Sequence, residues 1–202
     1  MKTIFLSGLF VLSSMMLLLS STAFAQRNVS IAGVIESEEA LLDNTRVGVH
    51  VINSSGGTIS EVASVAPVAG TFSVTTQFLE PGALQPFQSG IVPLPGLQSD
   101  YTVSPAGVNF ARAVTKVYVD SNNSGGFDAS DEGYLGVVRT NNPAGFFVLL
   151  YVDQNANLRG GGVDLSLQTG WNVFTVRFPE SGNAVYAIEA NLTDVVLDVF
   201  LP

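Results

Sequence analysis

Hydrophobic residues alternate with polar ones along most of this chain in short runs, each closed off by Gly, Asn, Ser or Pro, and nowhere does an apolar period of three helical turns appear. Such a period of two places successive side chains on opposite faces, so the pattern predicts strands. It predicts them over 29–35, 46–53, 58–65, 71–78, 113–119, 133–139, 146–152, 163–167, 172–178, 184–190 and 195–201. In the second of these Val47, Val49 and Val51 form the inward set and His50 falls on the outward phase, as a surface histidine. Ser54-Ser55-Gly56-Gly57 then reads as a hairpin turn. At the C-terminus Val195, Val196, Leu197, Val199, Phe200 and Leu201 are interrupted only by Asp198, as expected of a strand covered on both faces and paired inside a sheet. One short helix is predicted over 37–43, where acidic residues occupy the first turn.

Many short strands at this spacing predict an all-β protein, an antiparallel β-sandwich of transthyretin-like or Ig-like type. From Glu80 to Arg112 the alternation breaks down, with Pro81, Pro86, Pro93, Pro95 and Pro105 in the stretch. Its apolar content, including Phe87, Leu94 and Leu97, predicts a long loop lying across one domain of residues 26–202. The alternative is two small β-modules, 26–80 and 113–202, joined by 81–112.

The first 25 residues stand apart. Lys2, an apolar run from Ile4 to Leu19 and the small-x-small site Ala23-Phe24-Ala25 form a secretory signal, which would leave Gln26 as the mature N-terminus and the protein secreted, in the periplasm, on the cell surface or outside the cell. No membrane insertion is expected after cleavage. Losing Lys2 moves the formal charge from −9 to −10, a balance that disfavours nucleic acid as a partner and suits cations. The chain has no cysteine, so an exported fold of this length must rest on burial, with metal as the other possible support.

One stretch carries a spacing with a chemistry. From Asp120, oxygen-bearing side chains recur at Asn122, Ser124, Asp128 and Asp131, with Gly125 at the sixth place and Phe127 at the eighth. This is the arrangement of a twelve-residue calcium loop, in which alternate residues of a curled backbone point at a hard cation and the carbonyl of Gly126 adds a seventh-position ligand. Gly125 sits where the chain must turn sharply, and Phe127 is expected to anchor the loop to the core. Asp131 stands where Glu is usual; either Asp131 or Glu132 closes the site. The echo 33 residues on, Leu150-Tyr151-Val152-Asp153-Gln154-Asn155, has Leu158 at the sixth place and reads as a polar hairpin. Gly160 to Gly162 lack the Lys and Ser/Thr of a phosphate loop.

With Val117-Tyr118-Val119 in front, residues 117–136 resemble the calcium loops of SdrD B-like repeats of bacterial surface proteins and, more distantly, dockerin loops. That resemblance implies an extracellular β-module stiffened by structural calcium, with Asp120, Asn122, Ser124, Asp128 and Asp131 as ligands. Residues 29–78, with Ile31-x-Gly33-Val34, the valine strand, the glycine turn and Gly70-Thr71-Phe72-Ser73-Val74, resemble carboxypeptidase-regulatory (transthyretin-like) modules. This second resemblance implies a non-catalytic module of secreted or envelope proteins.

Catalysis finds little support in the residues. There is no Cys and one His, no Gly-x-Ser-x-Gly elbow, and no spacing that nominates a carboxylate pair. The expectation is a non-enzymatic envelope, extracellular structural or adhesion component, with other surface proteins or glycans as partners. A carbohydrate-binding module is the alternative, and an extracellular hydrolase the third. Trp171, at a turn, is the aromatic a sugar would stack on if exposed, and reads otherwise as a core tryptophan at a strand start.

Overall fold

The computed structural model describes residues 26–87, 93–98, 100–133, 135–140, 145–180 and 182–200; for residues 132, 133, 135–140, 145 and 200 it describes the backbone alone. The expected signal, 1–25, lies outside the described residues, as does Leu201. The strands are β1 (Ser30–Ser37), β2 (Thr45–Ile52), β3 (Thr58–Val65), β4 (Thr71–Thr75), β5 (Gln85–Pro86), β6 (Tyr101–Ser104), β7 (Asn109–Val119), β8 (Glu132–Gly133), β9 (Leu135–Thr140), β10 (Gly145–Val152), β11 (Ala156–Gly160), β12 (Val163–Leu167), β13 (Gly170–Arg177), β14 (Val185–Glu189) and β15 (Leu192–Phe200).

They form three sheets. The central one runs β14-β13-β10-β7-β2-β3, with the short β5 and β8 added along β7. A four-stranded sheet, β4-β1-β15-β9, covers one face, and a three-stranded sheet, β12-β11-β6, covers part of the other. Among the described strands every pairing is antiparallel except β1 with β15. Strands from before residue 80 and after residue 113 are interleaved: β2 pairs β7, and β1 pairs β15.

Two apolar cores follow from this layering. Val47, Val49 and Val51 face the four-stranded sheet and meet Ile31, Phe72, Val195 and Leu197 there. Leu94, Leu158, Leu165, Phe174 and Val176 fill the second core, under the three-stranded sheet. Strand β10 serves both, sending Phe147, Leu149 and Tyr151 one way and Val148, Leu150 and Val152 the other. Burial on both faces removes any need for polar alternation, which is why this run is continuously apolar in sequence.

Three expectations are corrected. The helix over 37–43 does not form: β1 continues to Ser37, whose backbone pairs with Val199, and 38–44 follow as bends and a turn. A one-turn acidic helix gains little, whereas extending the ladder adds a pair. The stretch 80–112 is not wholly irregular, since it contains a short 3₁₀ turn at Pro81–Ala83 and strands β5 and β6. Its Leu94 and Leu97 are buried in the second core. Finally, β15 is paired on both edges, but Val196 and Asp198 on its outer face are only half-buried.

Candidate metal loop

The loop grows from the end of β7. Asp120 N donates to Asn44 O at 3.0 Å and Asn44 Nδ2 donates to Asp120 O at 2.8 Å, pinning its first residue beside β2. The chain then curls through two left-handed residues, Asn123 (φ 55°) and Gly125 (φ 86°), the second at the position where the spacing demanded a glycine. It closes where β8 pairs back onto β7, Glu132 opposite Val119.

The curl turns the candidate ligands toward one another. Asp120, only 3% exposed, accepts from Ser124 N on Oδ1 (2.9 Å) and from Gly125 N on Oδ2 (2.8 Å). Asn122 Oδ1 accepts from Ser124 N, and its Nδ2 donates to Asp128 Oδ2 at 2.7 Å. Ser124 Oγ donates to Gly126 O at 2.8 Å. Asp131 accepts from Ser121 N on Oδ1 and from Asp128 N on Oδ2 (2.7 Å). Asp120, Asn122, Ser124, Gly126, Asp128 and Asp131 thus belong to one local hydrogen-bond network, with the Asp131 carboxylate bonded to backbone N–H groups of the loop itself. Glu132 is placed by its backbone only. Hydrogen bonds from the Ser130 hydroxyl, then from Ser130 N and Asn122, hold the Asp128 carboxyl below the usual carboxylate range.

Among the described residues no three His, Asp or Glu side chains stand together as a ready-made metal cluster. The loop's carboxylates are satisfied by its own N–H groups. Each ionised carboxylate offers about four acceptor sites, however, and these bonds occupy two or three of them.

Phe127 anchors the loop, but not to either core. Its ring lies on the uncovered part of the central sheet, edge-on to His50 at 4.9 Å and 85° and to Tyr118 at 5.2 Å and 86°. His50 is therefore not a surface residue; it is fully buried, on the outward phase of β2 as the valine pattern requires, and roofed by a segment 77 residues away. Burial first, and Lys116 in addition, bring its pKa down to about 4 against the partial opposition of Glu61. Tyr118 OH donates to Glu61 Oε2 at 2.7 Å, and burial, reinforced by Glu61, pushes this phenol up to about 12. Gly48 makes the cluster possible: a Cβ there would lie 2.5 Å from His50 Nε2 and 2.8 Å from Glu61 Oε2.

This aromatic platform was missed from sequence. The signals for it were the glycine inside an otherwise valine-alternating strand and the outward phase shared by His50 and Tyr118.

The echo at 150–164 assembles differently. Asp153 accepts from Asn109 N and Nδ2 (2.9 and 2.6 Å), Asn155 accepts from Thr169 N, and Asp164 bridges to Arg159 at 3.0 Å. Asp153 and Asn155 thus tie a corner between two sheets rather than form the predicted hairpin loop, while Asp164 and Arg159 pair across the β11–β12 hairpin, turned by Gly160, Gly161 and Gly162. Trp171 is wholly buried in the first core, with Nε1 donating to Gln77 O at 2.7 Å, so it offers no surface to a sugar.

Comparison with protein-family models, with curated proteins and with solved structures finds no match for this chain.

Proposed function

We propose that this chain is an exported, non-enzymatic structural β-protein of the cell envelope or extracellular matrix, and that its 120–131 loop is stiffened by calcium. The observation that supports the reading is that Asp120, Asn122, Ser124, Gly126, Asp128 and Asp131, at the spacing of a calcium loop, are linked by one hydrogen-bond network in a curl pinned at one end by Asn44 and closed at the other by β8. Calcium takes six to eight oxygens in an adaptable geometry. Asp120, Asn122, Ser124, Asp128, Asp131 and the Gly126 carbonyl would hold the ion, which would offset the like charges of the three carboxylates. The chain's acidity favours a cation, and the sole histidine, sealed beneath Phe127, is badly placed for a general base.

Calcium acts here as a support and not as a reagent. Loops in extracellular modules typically bind with Kd of about 10⁻⁴ to 10⁻³ M. At roughly tenfold above Kd the linkage contribution is about 1.4 kcal/mol. For a chain of this size the melting temperature then rises by roughly 3 to 6 °C. Asp120→Ala with Asp128→Ala abolishes the rise. Asp153→Ala lowers the starting melting temperature, because it strips the bonds to Asn109, and keeps the rise. A double variant with the full calcium response places the site elsewhere.

A further inference from the structure

His50 is the one ring in the molecule's described residues buried with both nitrogens unpartnered. It sits opposite Val114 on β7 and Glu61 on β3, its ring is wholly buried, and neither ring nitrogen has a hydrogen-bond partner. Phe127 and Tyr118 close over it edge-on, at 4.9 and 5.7 Å.

A proton on this ring finds poor compensation. From β3, Glu61 Oε2 lies 3.8 Å from Nε2 but already accepts the Tyr118 hydroxyl. From β7, the Lys116 ammonium, bonded to Thr58 Oγ1 at 2.8 Å, opposes a second cation. Arg46, on β2 itself, is bonded to Ser64 and adds no anion. The loop contributes Phe127, which is apolar. A buried, unpaired imidazolium is costly, and water reaches it most readily if a neighbour moves. The least firmly held neighbour is Phe127, half-buried itself and carried by a loop bonded mainly to its own atoms. Its other tie to the sheet in this region, Ser64 Oγ to Gly125 O, is long at 3.4 Å.

We propose that His50 is an acid-sensitive latch for the 120–131 loop: while neutral it seats Phe127, and on protonation it expels Phe127 and undocks the loop while the cores stay packed. The latch is a property of the metal-free chain, and its test does not depend on calcium binding.

Hydrogen exchange of the full mature chain in a chelator, corrected for intrinsic rates, reads it directly. Protection of amides 123–128 should fall by up to about tenfold per pH unit between roughly pH 6.5 and 4, while β1 and β15 keep theirs. His50→Phe, which keeps a ring and cannot be protonated, should remove that pH dependence. Glu61→Gln, which removes the anion facing the seated ring, should extend the pH-dependent loss to lower pH, and Lys116→Met should end it at higher pH, so these two suffice if His50→Phe does not fold. A His50→Phe loop that loses protection on acidification as the wild type does overturns the latch, and so does a release pH unmoved by both charge variants.

Discussion

Gly33 lies directly against Val195, so close that a Cβ on Gly33 would sit 1.8 Å from the Val195 carbonyl oxygen. The contact occurs beside an irregularity in the β1–β15 pairing, which joins the first and last described strands in the only parallel strand pair among them. No side chain can rotate away, because the obstacle is backbone. Gly33→Ala should therefore cost about 3 kcal/mol or more, at the upper end of overpacking penalties. Gly82→Ala, where an added methyl meets nothing within 4 Å and φ is not positive, should be neutral or slightly stabilising. Urea unfolding of the two variants checks the contrast; equal stabilities would contradict this account of the seam.

The single tryptophan gives the first core its own probe. Trp171 is 0% exposed, so native emission should be blue-shifted and insensitive to acrylamide, and should shift red in one transition on unfolding. Trp171→Phe leaves the Gln77 carbonyl without its donor and a gap beside Tyr151, at a cost of about 2 to 4 kcal/mol. Native emission that acrylamide quenches freely would contradict the packing.

Global stability should carry the mark of His50. Its folded pKa, about 4, lies below the unfolded value of 6.5, so between these values the unfolded chain binds more protons. The stabilisation is present above pH 6.5 and is lost as pH falls toward 4. The loss is at most about 3 kcal/mol, and release of the loop reduces it by letting the native chain take up the proton. Carboxylates titrate in the same window, so the measurement is the difference between wild type and His50→Phe in urea at pH 7 and pH 4.5. Parallel pH profiles would contradict the burial.

Much of the fold is written in local pattern. The valines of β2, the near-continuous apolar run of β10 and the pairing of β15 all follow from which faces must be covered. The strands missed from sequence, β5, β6 and β11, are short; Tyr101-Thr-Val-Ser buries no residue fully, and Ala156-Asn-Leu-Arg-Gly buries two and exposes three. The predicted helix failed because pairing with Val199 is a tertiary gain invisible in 37–43. His50 was misplaced for the same reason. Its phase on β2 was right, but the cover comes from Phe127, and only the three-dimensional course of the 120–131 loop brings it there. The curl of the 120–131 loop was legible from spacing, since a curled loop is local; that its carboxylates are met by the Ser121, Ser124, Gly125, Asp128 and Ser130 amides was not.

The central claim, that the 120–131 loop takes calcium, is tested most directly by calorimetric titration of calcium into metal-stripped mature protein. The account predicts one site per chain with Kd of about 10⁻⁴ to 10⁻³ M, abolished by Asp120→Ala with Asp128→Ala. No saturable heat in the wild type, or undiminished binding in the double variant, would contradict it.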